Sequence, residues 1–193
     1  MERLCVFCGS QSGFRREYAE QARRLGRTLV RNDIGMVYGG GNVGLMGEIA
    51  DTVLAEGGEA IGIIPEALVT KEVAHERLTE LHVVRSMHER KALMAEMSDG
   101  FIALPGGFGT LEELFEVITW GHLGLHDKPF GLLNVQNYYA PLIALLDHAQ
   151  AEGFVSVAQR EFVLEERDPD RLIALLSRWQ PHHPRQWISS EET

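Results

Sequence analysis

The chain has 193 residues, of which 45% are hydrophobic and 24% are charged, a composition typical of a globular protein and unlike that of a disordered or coiled-coil chain. Its length suits one domain with a hydrophobic core of its own. The net charge is −10, and binding to a nucleic-acid polymer depends on lysine and arginine, so we expect no such partner. A small anion held in one local basic pocket remains compatible with this charge.

The cysteine content and the absence of long apolar stretches indicate the cellular compartment. Its two cysteines, Cys5 and Cys8, are too few for a disulfide framework or a four-cysteine zinc site. They are three residues apart on a predicted strand, which places them on opposite faces and favours two core thiols over a redox pair. The apolar stretch is too short for a signal peptide, and no window approaches the roughly 20 apolar residues of a membrane span. We expect a cytoplasmic protein with no membrane partner.

Short apolar runs alternate with amphipathic segments along the whole chain. Strands are predicted, in chain order, at residues 4–8, 35–38, 60–64, 81–84, 101–104, 130–135 and 162–164. Helices are predicted around residues 18–29, 45–53, 87–97, 111–118, 142–149 and 172–176, whereas residues 66–80 have only weak helical character. Continuous apolar strands separated by such helices are typical of an α/β fold with a parallel sheet.

We therefore predict a single Rossmann-like domain over residues 1–178, with a mostly parallel sheet and helices on both faces. Residues 179–193 show no periodicity and are predicted to form a mobile C-terminal tail. In folds of this class ligands bind outside the carboxyl ends of the strands. The loops that follow Cys8, Tyr38 and Leu104 lie at that edge, and the last two are rich in glycine.

The loop after Tyr38 carries the first glycine-rich turn. Its glycines are Gly39, Gly40, Gly41 and Gly44. The turn matches G-x-G-x-x-G between a strand and a helix, a pattern typical of dinucleotide binding, which leaves a nicotinamide- or flavin-dependent oxidoreductase as one interpretation. However, it follows the second strand instead of the first, and the candidate ribose-binding acid, Glu66, lies beyond Pro65. The alternative is a tight turn that lets a ligand approach the backbone.

The loop after Leu104 carries the second glycine-rich turn. It contains Pro105, Gly106, Gly107, Phe108, Gly109 and Thr110, and Leu111, Glu112 and Glu113 follow. Backbone amides at a helix N-terminus suit a phosphate. The turn lacks the Gly-Lys-Ser/Thr ending of a nucleotide-hydrolysing P-loop. The alternative is a capping box, in which Thr110 caps the helix and Glu113 reaches back to it.

A charged cluster, Met87-His88-Glu89-Arg90-Lys91, begins the fourth predicted helix. It is either a solvated helix face or part of the site. Adjacent residues on a helix diverge by roughly 100°, so Arg90 and Lys91 are predicted to point in different directions. His122 and His126 are four residues apart, but the helix is expected to end near Gly121 and Gly124, and with no third ligand we predict no metal site.

These motifs resemble the LOG (LONELY GUY) family. Residues 105–113 match its signature P-G-G-x-G-T-x-x-E, and residues 87–91 resemble its second signature at the usual distance upstream. Residues 39–41 and 119–124 are also similar to family sequence, and the similarity extends from about residue 4 to about residue 176. Relatives are commonly labelled lysine decarboxylases, but the sequence has no recognisable pyridoxal-lysine context.

The resemblance implies a phosphoribohydrolase that needs no cofactor. It would cleave the N-glycosidic bond of a nucleoside 5′-monophosphate (a cytokinin riboside monophosphate, AMP or both), giving free base and ribose 5-phosphate. It implies Arg90 and Glu113 as catalytic residues. The residues that match or neighbour its ligand-contacting positions are Gly39, Gly40, Gly41, Glu72, Lys91, Gly106, Gly107, Phe108, Gly109, Thr110, Leu111, Glu112 and Thr119.

The resemblance also implies a homodimer, and the helix carrying Met87, Leu93, Met94 and Met97 suits either such a surface or the core. The implied chemistry agrees with the residue types, because glycoside cleavage usually employs carboxylates. Arg90 stays protonated and so cannot serve as a base. Asp99 and Glu112 are candidates for protonating the leaving base. A nucleotide-binding protein without turnover is the remaining alternative.

Overall fold

A computed structural model of the protein describes residues 1–69 and 74–180. Its strands are β1 (Arg3–Phe7), β2 (Gly35–Tyr38), β3 (Ala60–Pro65), β4 (Glu80–Val84), β5 (Phe101–Ala103), β6 (Phe130–Leu133) and β7 (Val163–Glu166). They form one sheet in the order β4-β3-β2-β1-β5-β6-β7. Every neighbouring pair of strands is parallel. The predicted parallel sheet is therefore confirmed.

Helices connect successive strands. They are α1 (Arg16–Arg31), α2 (Gly44–Ala55), α3 (Glu66–Val69), α4 (Met87–Glu96), α5 (Phe108–Leu123), α6 (Ala140–Ala151), α7 (Val157–Glu161) and α8 (Pro169–Arg178), with a 3-10 turn at Val135–Asn137. In the described part of the chain no helix is long and apolar enough to cross a membrane.

Two apolar layers lie on opposite faces of the sheet, as the sequence predicted. Helices α1, α2 and α8 pack on one face, and α4, α5 and α6 cover the other. Cys5 on β1 lies in the second layer and Cys8, directly after β1, lies in the first, which confirms two core thiols on opposite faces. Both thiols are free and buried. Burial raises the pKa of each, so neither forms a reactive thiolate at neutral pH.

The observed elements differ from the predicted ones mainly at short segments. Helix α7 was not predicted, although Ser156 and Gln159 form a capping box at its start. Helix α5 passes through Gly121 and ends at Gly124, which adopts the left-handed conformation that favours glycine (φ 80°). Within residues 66–80 the structure describes the short helix α3. Trp179 packs edge-on against Phe162 at 5.8 Å, and the predicted tail beyond Gln180 lies outside the described residues.

Candidate active site

Strand order reverses between β1 and β5, since the chain builds the sheet outward on one side of β1 and then returns to the other. The loops that follow these two strands diverge there, which is where doubly wound sheets bind ligands. A pocket of about 360 Å³ opens at this point. Its lining consists of Gly9, Ser10, Gln11, Ser12, Gly13, Tyr18, Leu45, Pro105, Gly106, Gly107 and Tyr138. Arg90 and Glu113 are not among these described lining residues.

Helix α5 begins at the rim of this pocket with Gly107 as its N-cap residue. The first backbone bond of the helix runs from the Leu111 N–H to the Gly107 carbonyl at 3.0 Å. The amides of residues 107–110 are therefore the ones without a partner inside the helix. A Cβ built on Gly107 or Gly109 would meet nothing within 4 Å, so an incoming anion can approach this backbone closely.

The capping-box interpretation of this helix start is wrong. Helix α5 begins two residues before Thr110, so Thr110 lies inside its first turn and Glu113 in the second. Thr110 is buried, and its side chain lies against Gly106, where a Cβ would collide with the hydroxyl oxygen. A capping role thus accounts for neither residue.

Arg90 lies beneath the glycine turn that follows β2. It is carried by α4, whose N-cap residue Ser86 accepts a hydrogen bond from the Glu89 amide. The Arg90 side chain is only 4% exposed, and its Nη2 donates to the Gly39 carbonyl at 3.0 Å. A Cβ at Gly39 would overlap that Nη2 atom, so glycine at this position is what admits the guanidinium.

Glu113 and Arg90 act on the same buried group. Burial raises the pKa of the Cys5 thiol most strongly; the charge of Glu113 raises it further and the charge of Arg90 lowers it. The Cys8 thiol, at the end of β1, also has its pKa raised by burial and by Glu113. An acidic side chain on α5 and a basic side chain on α4 thus both influence the thiol of Cys5.

Lys91 points away from Arg90, as predicted for adjacent helical residues. Its side chain is 8% exposed, and Nζ donates to Glu112 at 2.5 Å and to Glu116 at 3.0 Å. Burial alone would lower the pKa of Lys91, but the hydrogen bonds to these two carboxylates outweigh it and raise the pKa. Lys91 and Glu112 thus join α4 to α5 just behind the glycine-rich helix start.

The turn at residues 39–44 is shaped by contacts within the protein. Gly40 and Gly44 have positive φ values of 76° and 56°. A Cβ at Gly44 would collide with the backbone of Gln11, and one at Gly39 with Arg90. Gly41 accepts a hydrogen bond from the Tyr38 hydroxyl at 3.2 Å. Contacts within the protein and positive φ values thus account for glycine at positions 39, 40 and 44, so these glycines do not by themselves indicate a bound pyrophosphate.

The remaining predicted site residues lie on α5 or outside the described segments. Phe108 is 92% exposed at the helix start, and Leu111 is half-buried against the core. Thr119 is exposed, and its hydroxyl donates to the Phe115 carbonyl at 2.7 Å, three turns from the glycine loop. Glu72 lies outside the described residues.

Asp99 does not lie at the site, so its candidacy as the acid for the leaving base is wrong. Its carboxylate accepts hydrogen bonds from the amides of Glu2 at 2.5 Å and Arg3 at 3.0 Å, which places it at the amino end of β1. Burial would raise the pKa of Asp99, but these amide donors lower it overall. Asp99 is therefore an ionised structural residue at the far edge of the sheet.

Sequence reasoning missed the aromatic side chains of the pocket. Tyr18 and Tyr138 pack edge-to-face with ring centroids 6.0 Å apart. Neither belongs to a glycine-rich motif, and their 120-residue separation in sequence gives no local signal. The loop after β1 was predicted to lie at the ligand edge, but its individual residues were not. Within residues 1–69 and 74–180, no group of three or more histidine, cysteine or acidic side chains is arranged to hold a metal ion.

Topology and site together define a Rossmann-like α/β protein whose glycine-rich helix start faces the pocket at the reversal of strand order. The family described as "Possible lysine decarboxylase" matches residues 46–176. The chain is 51% identical to a probable cytokinin riboside 5′-monophosphate phosphoribohydrolase, LOGL9, of Oryza sativa subsp. japonica, over 93% of this chain and 79% of that protein. The chain therefore belongs to this family, which confirms the resemblance to LOG proteins.

Other relatives come from a bacterium and a second plant. A cytokinin riboside 5′-monophosphate phosphoribohydrolase of Rhodococcoides fascians is 51% identical, over 90% of this chain and 88% of that protein. LOG1 of Arabidopsis thaliana, with the same activity in its name, is 48% identical over 94% and 85% of the two chains.

Solved structures with similar folds include two molybdenum-cofactor proteins. The carrier protein of Chlamydomonas reinhardtii superposes with a TM-score of 0.68 at 18% identity, covering 92% of this chain and 96% of that one. The binding protein of Rippkaea orientalis has a TM-score of 0.68 at 21% identity, covering 91% and 95%. At these identities the likeness concerns the fold alone.

Proposed function

We propose that this protein hydrolyses the N-glycosidic bond of nucleoside 5′-monophosphates, cytokinin riboside monophosphates or AMP, and releases free base and ribose 5-phosphate. The observation that carries the proposal is the start of α5. Four backbone amides lack partners inside the helix there, at the rim of the pocket, and the half-buried Glu113 lies on the same helix. Relatives about 50% identical over most of the chain bear the name of this activity.

The phosphate of the substrate would bind at the helix start. The amides of residues 107–110 point out of the helix, and the helix macrodipole places partial positive charge there. Glycines at positions 107 and 109 leave room for the anion to contact the backbone. Gly39, Gly40 and Gly41 belong to the proposed site through Arg90, which is held against the first of them.

The reaction needs a carboxylate near the anomeric carbon. As the C1′–N bond breaks, its electron pair leaves with the base, the base takes up a proton, and positive charge develops on the ribose. Water supplies the oxygen of the new C1′–O bond and loses a proton. In this proposal Glu113 stabilises the cation or accepts that proton. Arg90 remains charged and orients Glu113 or the phosphate.

Requirement for the 5′-phosphate tests the proposed site directly. AMP and adenosine carry the same base and ribose, so a site that anchors phosphate should give AMP a kcat/KM at least 100-fold higher, which corresponds to about 2.7 kcal/mol. Release of adenine is followed by chromatography at equal substrate concentrations. Equal kcat/KM values would contradict a phosphate site, and binding of AMP without adenine release would indicate a nucleotide-binding protein.

We also propose a homodimer that includes the free edge of the sheet. Strand β4 ends the sheet, and Leu81 and Val83 on it are 39% and 55% exposed, next to Met87 at 40%. Exposed apolar side chains on an edge strand are typical of an interface. Met94, by contrast, is a core residue, and Leu93 and Met97 are half-buried against that core. Light scattering should give twice 21.6 kDa at micromolar concentration, and a mass near 21.6 kDa would contradict the dimer.

The cytoplasm is the compartment that we propose. Cys5 and Cys8 are both free, although their C-x-x-C spacing would allow an oxidant to join them in a disulfide while the chain is unfolded. Free buried thiols are typical of proteins that fold in reducing surroundings. Fractionation of cells that express the protein, followed by immunodetection, tests this assignment.

A further inference from the structure

The residues between β6 and α6 hold the glycine-rich loop in place through hydrogen bonds. Tyr138 donates its hydroxyl proton to the Gly106 carbonyl at 2.5 Å, and Tyr139 donates to the Leu104 carbonyl at 2.6 Å. The carbonyl between them, that of Pro105, accepts from the Gly9 amide at 3.1 Å. Three successive carbonyls after β5 are thus each bonded, two of them by adjacent tyrosines and one by the loop after β1.

The bond from Tyr138 fixes the orientation of one peptide plane. The peptide that joins Gly106 to Gly107 is trans, so its C=O and N–H point in opposite directions. When the carbonyl is turned toward Tyr138, the Gly107 amide is turned away from it. A carbonyl oxygen facing the helix start would repel a phosphate, whereas an amide attracts it. The hydroxyl of Tyr138 therefore holds the carbonyl of this peptide away from the direction in which the Gly107 amide points.

The backbone before Tyr138 is strained. Gln136 and Asn137 have φ values of 52° and 60°, and two consecutive non-glycine residues in the left-handed region are uncommon. Such strain persists where surrounding contacts over-determine it. Here Asn134, which is buried, accepts from the Tyr139 amide at 2.7 Å and donates to Glu165 at 2.5 Å, so the end of the turn is anchored to β7.

We infer that Tyr138 is a positioning residue for phosphate binding, acting through the Gly106–Gly107 peptide. This inference rests on the proposed function for the identity of the ligand. Tyr139 makes a matching bond from a different environment, because it is 1% exposed whereas Tyr138 is 38% exposed and lines the pocket. The two tyrosines thus provide a matched pair, one for anion binding and one for stability.

The test compares Tyr138→Phe with Tyr139→Phe in the full chain. Ribose 5-phosphate, inorganic phosphate and adenosine are titrated by calorimetry, and the Tm of each variant is measured. Loss of one hydrogen bond should raise the Kd of Tyr138→Phe for both anions about threefold to tenfold and leave adenosine binding within twofold. Its Tm should stay within about 2 °C, since the lost hydroxyl is partly exposed.

Tyr139→Phe should show the opposite pattern. It leaves the buried Leu104 carbonyl without its donor, so the Tm should fall by several degrees while the anion Kd changes less than in Tyr138→Phe. Unchanged anion affinity in Tyr138→Phe would overturn the inference. An equal loss for adenosine would also overturn it, because Tyr138 would then contact the nucleoside itself.

A measurement on the wild-type protein covers the case in which a variant does not fold. The ¹H–¹⁵N signal of Gly107 should move downfield when inorganic phosphate is added, and the absence of a shift would overturn the inference. Failure of the proposed function has a different signature: no base is released from AMP although phosphate binds and depends on Tyr138. Adenine release with an unaltered Tyr138→Phe affinity overturns the positioning role alone.

Discussion

At the scale of single residues, Gly39 makes room for the Arg90 side chain because glycine has no Cβ. The Arg90 guanidinium occupies the space of a Cβ at position 39 and donates to the carbonyl there. The G-x-G-x-x-G pattern could be found in the sequence, but its cause could not, because the two residues are 51 positions apart. A glycine motif in the sequence indicates where glycine is required, but it does not show which side chain occupies the place of the missing Cβ.

Glu113 is the residue on which the proposed chemistry depends most. A glutamine at this position keeps the shape and loses the charge, so it can neither accept a proton nor balance a developing cation. We expect Glu113→Gln to lower kcat for AMP about 10²–10⁴-fold. The Tm should shift by a few degrees at most, because Glu113 does not cap α5.

The matched control is Glu59→Gln, which removes a half-buried carboxylate at the amino end of the sheet, where it pairs with Arg3 at 2.8 Å. This control should lose some stability and keep its kcat. Retention of more than about a third of wild-type kcat by Glu113→Gln would be a much smaller loss than removal of a general base causes, and Glu113 would then not be catalytic.

At the scale of elements, α5 presents its amides only if its start is held in place, and the α4–α5 contact does this. The Glu116 carboxylate is 23% exposed and the Glu112 carboxylate 54%, and both bind the buried Lys91 ammonium. The sequence showed a charged cluster on α4, which is as typical of a solvated face as of a site. The partners on α5 became visible only when the two helices were packed together.

Replacing Lys91 tests whether it stabilises the contact between α4 and α5 or binds the ligand directly. Lys91→Met keeps the apolar stem and leaves Glu116 partly buried without its cation, so the Tm should fall by several degrees. Glu112→Gln should lower the Tm less, because that carboxylate is more exposed. The KM of Lys91→Met for AMP should stay within about threefold of wild type; a rise above tenfold would show that Lys91 contacts phosphate directly.

Short elements were the least predictable ones. The strands of the central sheet follow directly from continuous apolar runs, and β2 was predicted with its observed bounds. Helix α7 has five residues, too few for an apolar stripe, and only its Ser156 and Gln159 cap marks it. The strained turn before Tyr138 has no glycine at either left-handed position, and only Asn137, a residue that tolerates this conformation, marks it in the sequence.

At the scale of the whole molecule, topology explains where the pocket lies. Alternating strands and helices predicted a parallel sheet with helices on both faces, but not the order of its strands, because crossovers of either direction fit the same pattern. The observed order places the reversal between β1 and β5, and the pocket opens there. Two loops separated by about 90 residues are thereby brought together.

Acid stability of the fold is expected to depend on His126. Its Nε2 is 2.9 Å from the Val117 carbonyl, to which it donates, and its Nδ1 accepts from the Lys128 amide at 3.1 Å. Both ring nitrogens are therefore used in the neutral form. Burial lowers the pKa of His126 below 6.5, and the nearby charge of Lys128 contributes, although the bond to Val117 opposes this. Burial also lowers the pKa of His122.

The sign of the pH effect follows from these directions. Below pH 6.5 the unfolded chain binds protons at these histidines before the folded one does, so the free energy of unfolding falls as the pH decreases toward the folded pKa. Each unit of pKa lowering corresponds to about 1.4 kcal/mol. Melting curves between pH 8 and pH 5 should show a Tm decrease that is smaller in His126→Gln, with His122 responsible for part of the remainder. An identical decrease in both proteins would contradict this role.

The most direct test of the proposed function is the product stoichiometry with AMP. Purified protein is incubated with AMP in phosphate-free buffer, and the products are quantified by chromatography and mass spectrometry. The proposed hydrolysis predicts adenine and ribose 5-phosphate in equal amounts, with no added cofactor, and a similar result for a cytokinin riboside 5′-monophosphate. The absence of free base from every nucleoside 5′-monophosphate tested, or its release only when a nicotinamide or flavin is supplied, would contradict it.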